Sequence, residues 1–239
     1  MRTTTANFYK RKNDIEWRSH EPSRLETFSD AVFAFAVTLI IVSLEVPKSF
    51  TELYETMKGT LSFAVCFAVL FNLWNNQNIF FRRYGMNDFY TVTLNGILLF
   101  VVLVYVYPLK FLAGIIFFDN SYMVNGHAME MIKETQGPLL MLIYGLGFTV
   151  INLLFYLMYA NALKHKTELK LNDLEIFVTK TETGMNLLLI LIGITAMLLA
   201  WLLPLQYADQ SGIFYLSIPF AYTLWFTYRG RKSRKLFGV

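Results

Sequence analysis

The chain has 239 residues, 55% of them hydrophobic and 17% aromatic, and only 16% are charged, against about a quarter in soluble domains. That deficit excludes an ordinary soluble domain and points to a membrane. The net charge of +4 is accounted for below by the topology that Lys and Arg impose, which leaves no nucleic-acid footprint to explain. Cys66 is the single cysteine, so no intramolecular disulfide framework is possible, and it reads as a packing residue.

Residues 1–22 are polar, mixed in charge and without a sustained apolar face, which predicts a cytoplasmic lead-in. They lack the short apolar core and small-residue cleavage site of a signal peptide, so the first span itself should direct insertion. Ser23 and Glu26 have the S-x-x-E spacing of a capping box, and Pro22 disfavours an upstream continuation; a helix should start here. Its charge-free part, 31–44, is too short to span alone and does so only if Asp30 is tolerated inside a bundle. Ala31, Phe35, Thr38 and Val42 fall on one stripe at helical spacing, with Leu39 beside it and Glu45 closing its far end. Ser29 and Asp30 point away from that stripe, and a buried carboxylate without partners is very costly. Both should therefore sit in a hydrogen-bonded network with neighbouring helices.

Five further charge-free windows, 59–81, 89–109, 135–163, 183–208 and 210–228, are long enough to cross a bilayer. The second span ends in the amides Asn75, Asn76, Gln77 and Asn78 after Trp74, which with Asn72 are candidates to meet Ser29 and Asp30. The third carries Asn95 and then Tyr107 and Pro108, where proline should end or kink the helix; 111–118 reads as an apolar extension at the outer surface. Gly145 and Gly147 in the fourth permit close helix contact. Pro204, Asp209 and Gly212 mark a tight outer hairpin, and Pro219 suggests a kink in the sixth span. The stretches 47–58 and 119–134 read as plain outer connections.

Six spans place both termini on one side. Seventeen Lys and Arg fall on the terminal side, against Lys48, Lys58, Lys110 and Lys133 on the other, so both termini are expected in the cytoplasm. The basic tail 229–239 lies where it can contact anionic lipid. This divides the chain into a cytoplasmic segment 1–22, a six-helix transmembrane domain 23–228 and the tail. His20, His127 and His165 are scattered without metal-ligand spacing.

The first span carries Arg24, Phe28, Ser29 and Asp30 in the pattern R-x-x-x-F-S-D, followed by the run AVFAFAVTLIIVSLEVP. A serine–aspartate pair inside the start of a membrane helix is rare, and the pattern resembles the transmembrane-protein-175 family of lysosomal and prokaryotic potassium channels. The resemblance extends through SFAV at 62–65, Trp74 and the stretch from Asn95 to Pro108. It implies an all-α membrane protein with six transmembrane helices per subunit, a homotetramer whose first helices surround a central pore. Carried onto this chain, the apolar constriction is Phe35, Leu39 and Val42 with Thr38 adjacent, and the structural motif is Arg24, Phe28, Ser29 and Asp30 with Trp74, Asn78 and Asn95. At Phe35 the chain departs from the isoleucine or leucine more usual there.

No T-V-G-Y-G segment is present, so a carbonyl filter is excluded and the expected function is a non-filter-type cation channel. Permeant K⁺ would pass rings of oily side chains and a ring of Thr38 hydroxyls, with no cofactor, in the inner membrane of a prokaryote, among lipid and copies of the same chain. Glu45 is either an outer-mouth ring or a solvated helix end. Arg24 either faces the inner mouth or pairs with a carboxylate or helix end; Trp74 is either an interfacial anchor or a partner of the motif. A proton-coupled secondary transporter using Asp30 is the alternative, although the paired repeats and broken helices of such proteins are not evident. An enzyme is disfavoured because Ser29 and Asp30 have no histidine at useful spacing.

Overall fold

The computed structural model describes residues 15–19, 21–42, 48–58, 60–117, 121–124, 127–130, 132–203 and 209–238. Six long helices make the fold: α1 (Arg24–Val42), α3 (Thr60–Tyr84), α4 (Phe89–Phe117), α5 (Gly137–Lys164), α6 (Asp173–Leu202) and α7 (Ser217–Phe237). The short α2 (Phe50–Lys58) sits between α1 and α3, and an antiparallel hairpin of β1 (Ser121–Val124) and β2 (His127–Glu130) follows α4. Both lie where plain connections were expected. In α2 the apolar side chains Phe50, Leu53, Tyr54 and Met57 are exposed, the pattern of a short amphipathic helix.

α1 begins where its cap dictates. Ser23 N donates to Glu26 Oε1 at 3.0 Å and Glu26 N donates to Ser23 Oγ at 3.2 Å, the reciprocal pair that satisfies two of the helix's free N–H groups. α6 starts ten residues before its charge-free window, because Asn172 and Glu175 form a second capping box. That signal stands in the sequence as N-x-x-E, and the charges of Asp173, Glu175, Lys180 and Glu182 hid it from a reading by charge-free length. α4 runs through Pro108 without ending, and Tyr144 Oη donates to the Pro108 carbonyl at 2.7 Å. Pro219 falls in the first turn of α7, where its missing N–H has no helical partner to lose, so no mid-helix kink arises. Residues 209–216 form a 3₁₀ segment, and α7 continues through the basic tail to Phe237.

α1 packs on α3 and α4, α4 on α5, α5 on α6, and α6 on α7. The main core gathers Phe33, Ala36 and Ile40 of α1 with Leu70, Phe80 and Phe81 of α3, Leu98 and Val102 of α4, and Met158 of α5. Close approach in the second half depends on glycine. A Cβ on Gly147 would lie 1.8 Å from the Tyr105 ring, and one on Gly193 2.3 Å from Thr149 Oγ1. Three helices, α4 over Phe89–Ile115, α5 and α6, are long and apolar enough to cross a membrane by length and composition.

Candidate functional site

The residues of the opening motif split between two faces of α1. Ser29, Phe33, Ala36 and Ile40 are buried against α3 and α4, while Phe28, Ala31, Ala34, Phe35, Thr38 and Ile41 are exposed. This division follows from the helical period, since 29, 33, 36 and 40 recur at four, three and four residues and share one side. Phe35 is 56% and Phe28 61% exposed, so the described part of the stripe read from the sequence is left uncovered by the rest of the chain. Leu39, at the edge of that stripe, is half-buried and packs on the core. Val42 ends α1; its side chain and all of Glu45 lie outside the described residues.

Behind the uncovered face runs a polar network. Asn95 Nδ2 donates to Ser29 Oγ at 3.0 Å, and Gln77 Nε2 donates to Asn95 Oδ1 at 3.0 Å. Ser29 Oγ in turn donates to the Leu25 carbonyl at 2.8 Å. All three side chains are essentially inaccessible, so the bonds replace water that an apolar bundle cannot supply. The network thereby pins α1 to α3 and α4 at a fixed rotation. Asp30, on the flank, accepts from Trp74 Nε1 at 2.7 Å.

Among the amides, Gln77 rather than Asn78 meets Asn95; Asn78 lines a cleft of about 200 Å³ with Asp30, Glu26 and Arg82. The signal for Gln77 was its spacing. It lies seven residues after Leu70, on the side of α3 that also buries Ser62, Cys66, Phe80 and Tyr84. On the other side of Asp30, a groove of about 410 Å³ runs between α1 and α3 along Phe33, Ala34, Val37, Phe67, Phe71 and Trp74. Arg24 is exposed at the N-terminal end of the uncovered face.

Thr38 Oγ1 donates to the Phe35 carbonyl at 2.7 Å and lies 3.3 Å from that of Ala34. A hydroxyl that spends its proton on its own helix presents only oxygen lone pairs outward, the ligand a bare cation prefers. At the C-terminal end of α1, Lys110 Nζ of α4 donates to the Ile40 carbonyl at 3.2 Å, and a cation there complements the negative end of the helix dipole. At the N-terminal end of α4, Asp88 caps the helix through Thr91 N at 3.1 Å and Thr91 Oγ1 at 2.6 Å and also accepts from Asn161 of α5 at 3.2 Å. Burial acts to raise the Asp88 carboxyl, but those hydrogen bonds outweigh it and hold it below its ordinary value. Among the described residues no group of three or more His, Cys, Asp or Glu could hold a metal ion.

A bundle of six long helices, three of them apolar enough to span a bilayer and the first tied in place by buried amides, defines an all-α membrane protein. Comparison with known proteins specifies which kind. Residues 24–106 match the family described as endosomal/lysosomal potassium channel TMEM175. A potassium channel of Marivirga tractuosa is 41% identical over 202 residues, 80% of this chain and 79% of that protein. Among solved structures, a threonine-to-alanine variant of the potassium channel MtTMEM175, crystallised with a nanobody–MBP fusion, is similar with a TM-score of 0.77 and 37% identity, over 93% of this chain and 97% of that one. A lysosomal potassium-selective channel TMEM175 homologue from Chamaesiphon minutus shares the fold at a TM-score of 0.50 and 20% identity, over 84% of this chain and 96% of its own. The chain belongs to the TMEM175 family. That family and these relatives are potassium channels and not enzymes.

Proposed function

We propose that this chain is a potassium-permeable cation channel, conducting passively through a central pore lined by the first helices of four identical subunits. The observation that carries the reading is the division of α1. One side is locked in place by Ser29, Asn95 and Gln77, while the side bearing Ala31, Phe35 and Thr38 is left exposed among the described residues. A fixed rotation with a free face is what a pore helix needs, because a lining side chain must not wander. The names of the relatives supply the ion: those proteins are potassium channels.

In this arrangement Phe35 and Val42, with Leu39 at the flank, form the narrow apolar passage, which gates by dewetting and excludes poorly matched hydrated ions. The Thr38 ring supplies oxygen in exchange for part of the water shed by K⁺. Glu45 concentrates cations at the outer mouth. The site is a prokaryotic inner membrane with both termini in the cytoplasm, a reading supported by the seventeen-to-four distribution of basic residues.

The test uses purified protein in liposomes and planar bilayers. An electrogenic K⁺ flux at single-channel rates without coupled proton movement is the expected result, and saturable flux coupled to protons would replace the channel by the transporter reading. Substitution Thr38→Val, which keeps shape and removes all four hydroxyls of the ring, is expected to lower K⁺ over Na⁺ preference in bi-ionic reversal potentials by roughly tenfold, the equivalent of about 1.4 kcal/mol.

A further inference from the structure

The segment ahead of α1 is more than a tether. Residues 15–19 cross the inner ends of α3 and α6, and Arg18 is their anchor. Its Nη1 and Nη2 donate to Glu175 Oε1 and Oε2 at 2.9 and 2.8 Å, the two-pronged geometry that makes an arginine–carboxylate pair directional. Its Nε donates to the Leu169 carbonyl at 2.8 Å and Nη1 also to the Arg83 carbonyl at 3.1 Å. The backbone joins in: Arg18 N and Ser19 N donate to the Arg82 carbonyl at 2.9 and 3.2 Å, and Glu16 N donates to Glu175 Oε1 at 2.9 Å. The Arg82 guanidinium lies over the Trp17 ring, 4.7 Å from its centre.

Apart from Leu169, which lies in the turn between α5 and α6, each partner belongs to a helix end. Arg82 and Arg83 are in the last turn of α3, whose carbonyls have no helical donors. Glu175 already closes the capping box of α6, so one carboxylate ties the start of α6 and the segment together. The other end of the segment turns directly into α1: Ser19 Oγ donates to the Glu21 carbonyl at 2.9 Å and lies 3.4 Å from Oε1 of Glu26, the capping residue of α1.

The consequence is mechanical. α1 packs on α3 and α4, whereas α6 packs on α5, on 209–216 and on α7. Arg18 joins these two sets at the inner surface. We propose that Arg18 and Glu175 form a clasp that holds the inner end of α1 against α3 and α6, making Arg18 a positioning residue whose loss alters gating and leaves ion preference unchanged. This rests on the reading of α1 as the pore helix. Asn95, Gln77 and Trp74 still fix α1 from Ser29 outward when the clasp is broken, so the constriction keeps its composition. The turn below Ser29 gains freedom, and most of the added conformations misplace one of four inner ends.

Single-channel recording of the reconstituted full chain tests this, because open probability per channel does not depend on how much protein folds. Substitution Arg18→Gln is expected to lower open probability at least about tenfold, since losing even one of its two charge-assisted hydrogen bonds to Glu175 is worth that much, with unitary conductance and reversal potential as in the parent. Glu175→Gln should do the same, and the double variant should be no worse than either single, since the two act as one unit. Arg18→Lys, which keeps the charge and loses the fork, should fall between; it also decides the matter if Arg18→Gln yields no channels. Parental open probability in Arg18→Gln, or effects that simply multiply in the double variant, would overturn the clasp. Failure of the pore reading is separately visible, as an unaltered reversal potential in Thr38→Val recorded in the same bilayers.

Discussion

Asn95→Ala strikes the point on which the orientation of α1 depends. The substitution removes two interhelical hydrogen bonds, from Asn95 Nδ2 to Ser29 Oγ and from Gln77 Nε2 to Asn95 Oδ1. Ser29 keeps its own bond to the Leu25 carbonyl, but the Gln77 amide loses its acceptor in a site sealed from water. Interhelical hydrogen bonds inside membrane proteins contribute about 0.6 kcal/mol each and at most about 1.7, and stranding a buried amide costs about 1–3 kcal/mol. The expected loss is therefore about 1–3 kcal/mol, which for a chain of this size lowers the midpoint of thermal unfolding by roughly 3–10 °C. Intrinsic tryptophan fluorescence of the protein in detergent reads it out. The double variant Asn95→Leu with Gln77→Leu should recover most of the loss, because two apolar groups leave nothing unsatisfied. A midpoint within about 1 °C of the parent for Asn95→Ala, or a double variant that merely sums its singles, would refute the account of this network.

Gly147→Ala should destabilise by about 1–3 kcal/mol, the usual cost of overpacking, because the new methyl would overlap the Tyr105 ring at 1.8 Å; Tyr105→Ala in the same chain should relieve much of it, and an unchanged unfolding midpoint in Gly147→Ala alone would count against the close α4–α5 contact. Acidification should loosen the N-terminal end of α4. Asp88 is held below its ordinary value by the bonds it accepts, so its stabilising effect is complete above the unfolded-state value and is lost as pH falls through the lower folded-state value. Asp88→Asn, compared with the parent in midpoints measured from neutral to acid pH, should lack that component; identical pH curves would rule it out.

Much of this protein was legible in one dimension. Charge-free length and the placement of Lys and Arg indicate a polytopic helical protein and its expected orientation, because the cost of burying charge in hydrocarbon acts on each segment independently of its neighbours. The start of α1 was equally legible, since Ser23 and Glu26 satisfy each other within one turn. The rarity of a serine–aspartate pair in a membrane helix was enough to suggest the family. What the order of residues could not decide was which amide meets which. Four stand in a row after Trp74, all chemically able, and only the rotation of α3 against α4 brings Gln77 to Asn95 and turns Asn78 toward the cleft. The anchoring of Arg18 is of the same kind, because Glu175 lies 157 residues away in the chain, and nothing local in either residue distinguishes a clasp from two solvated charges. Helix caps and hydrophobic spans are fixed by neighbours along the backbone, whereas pairings between helices exist only once packing has set their rotation and depth.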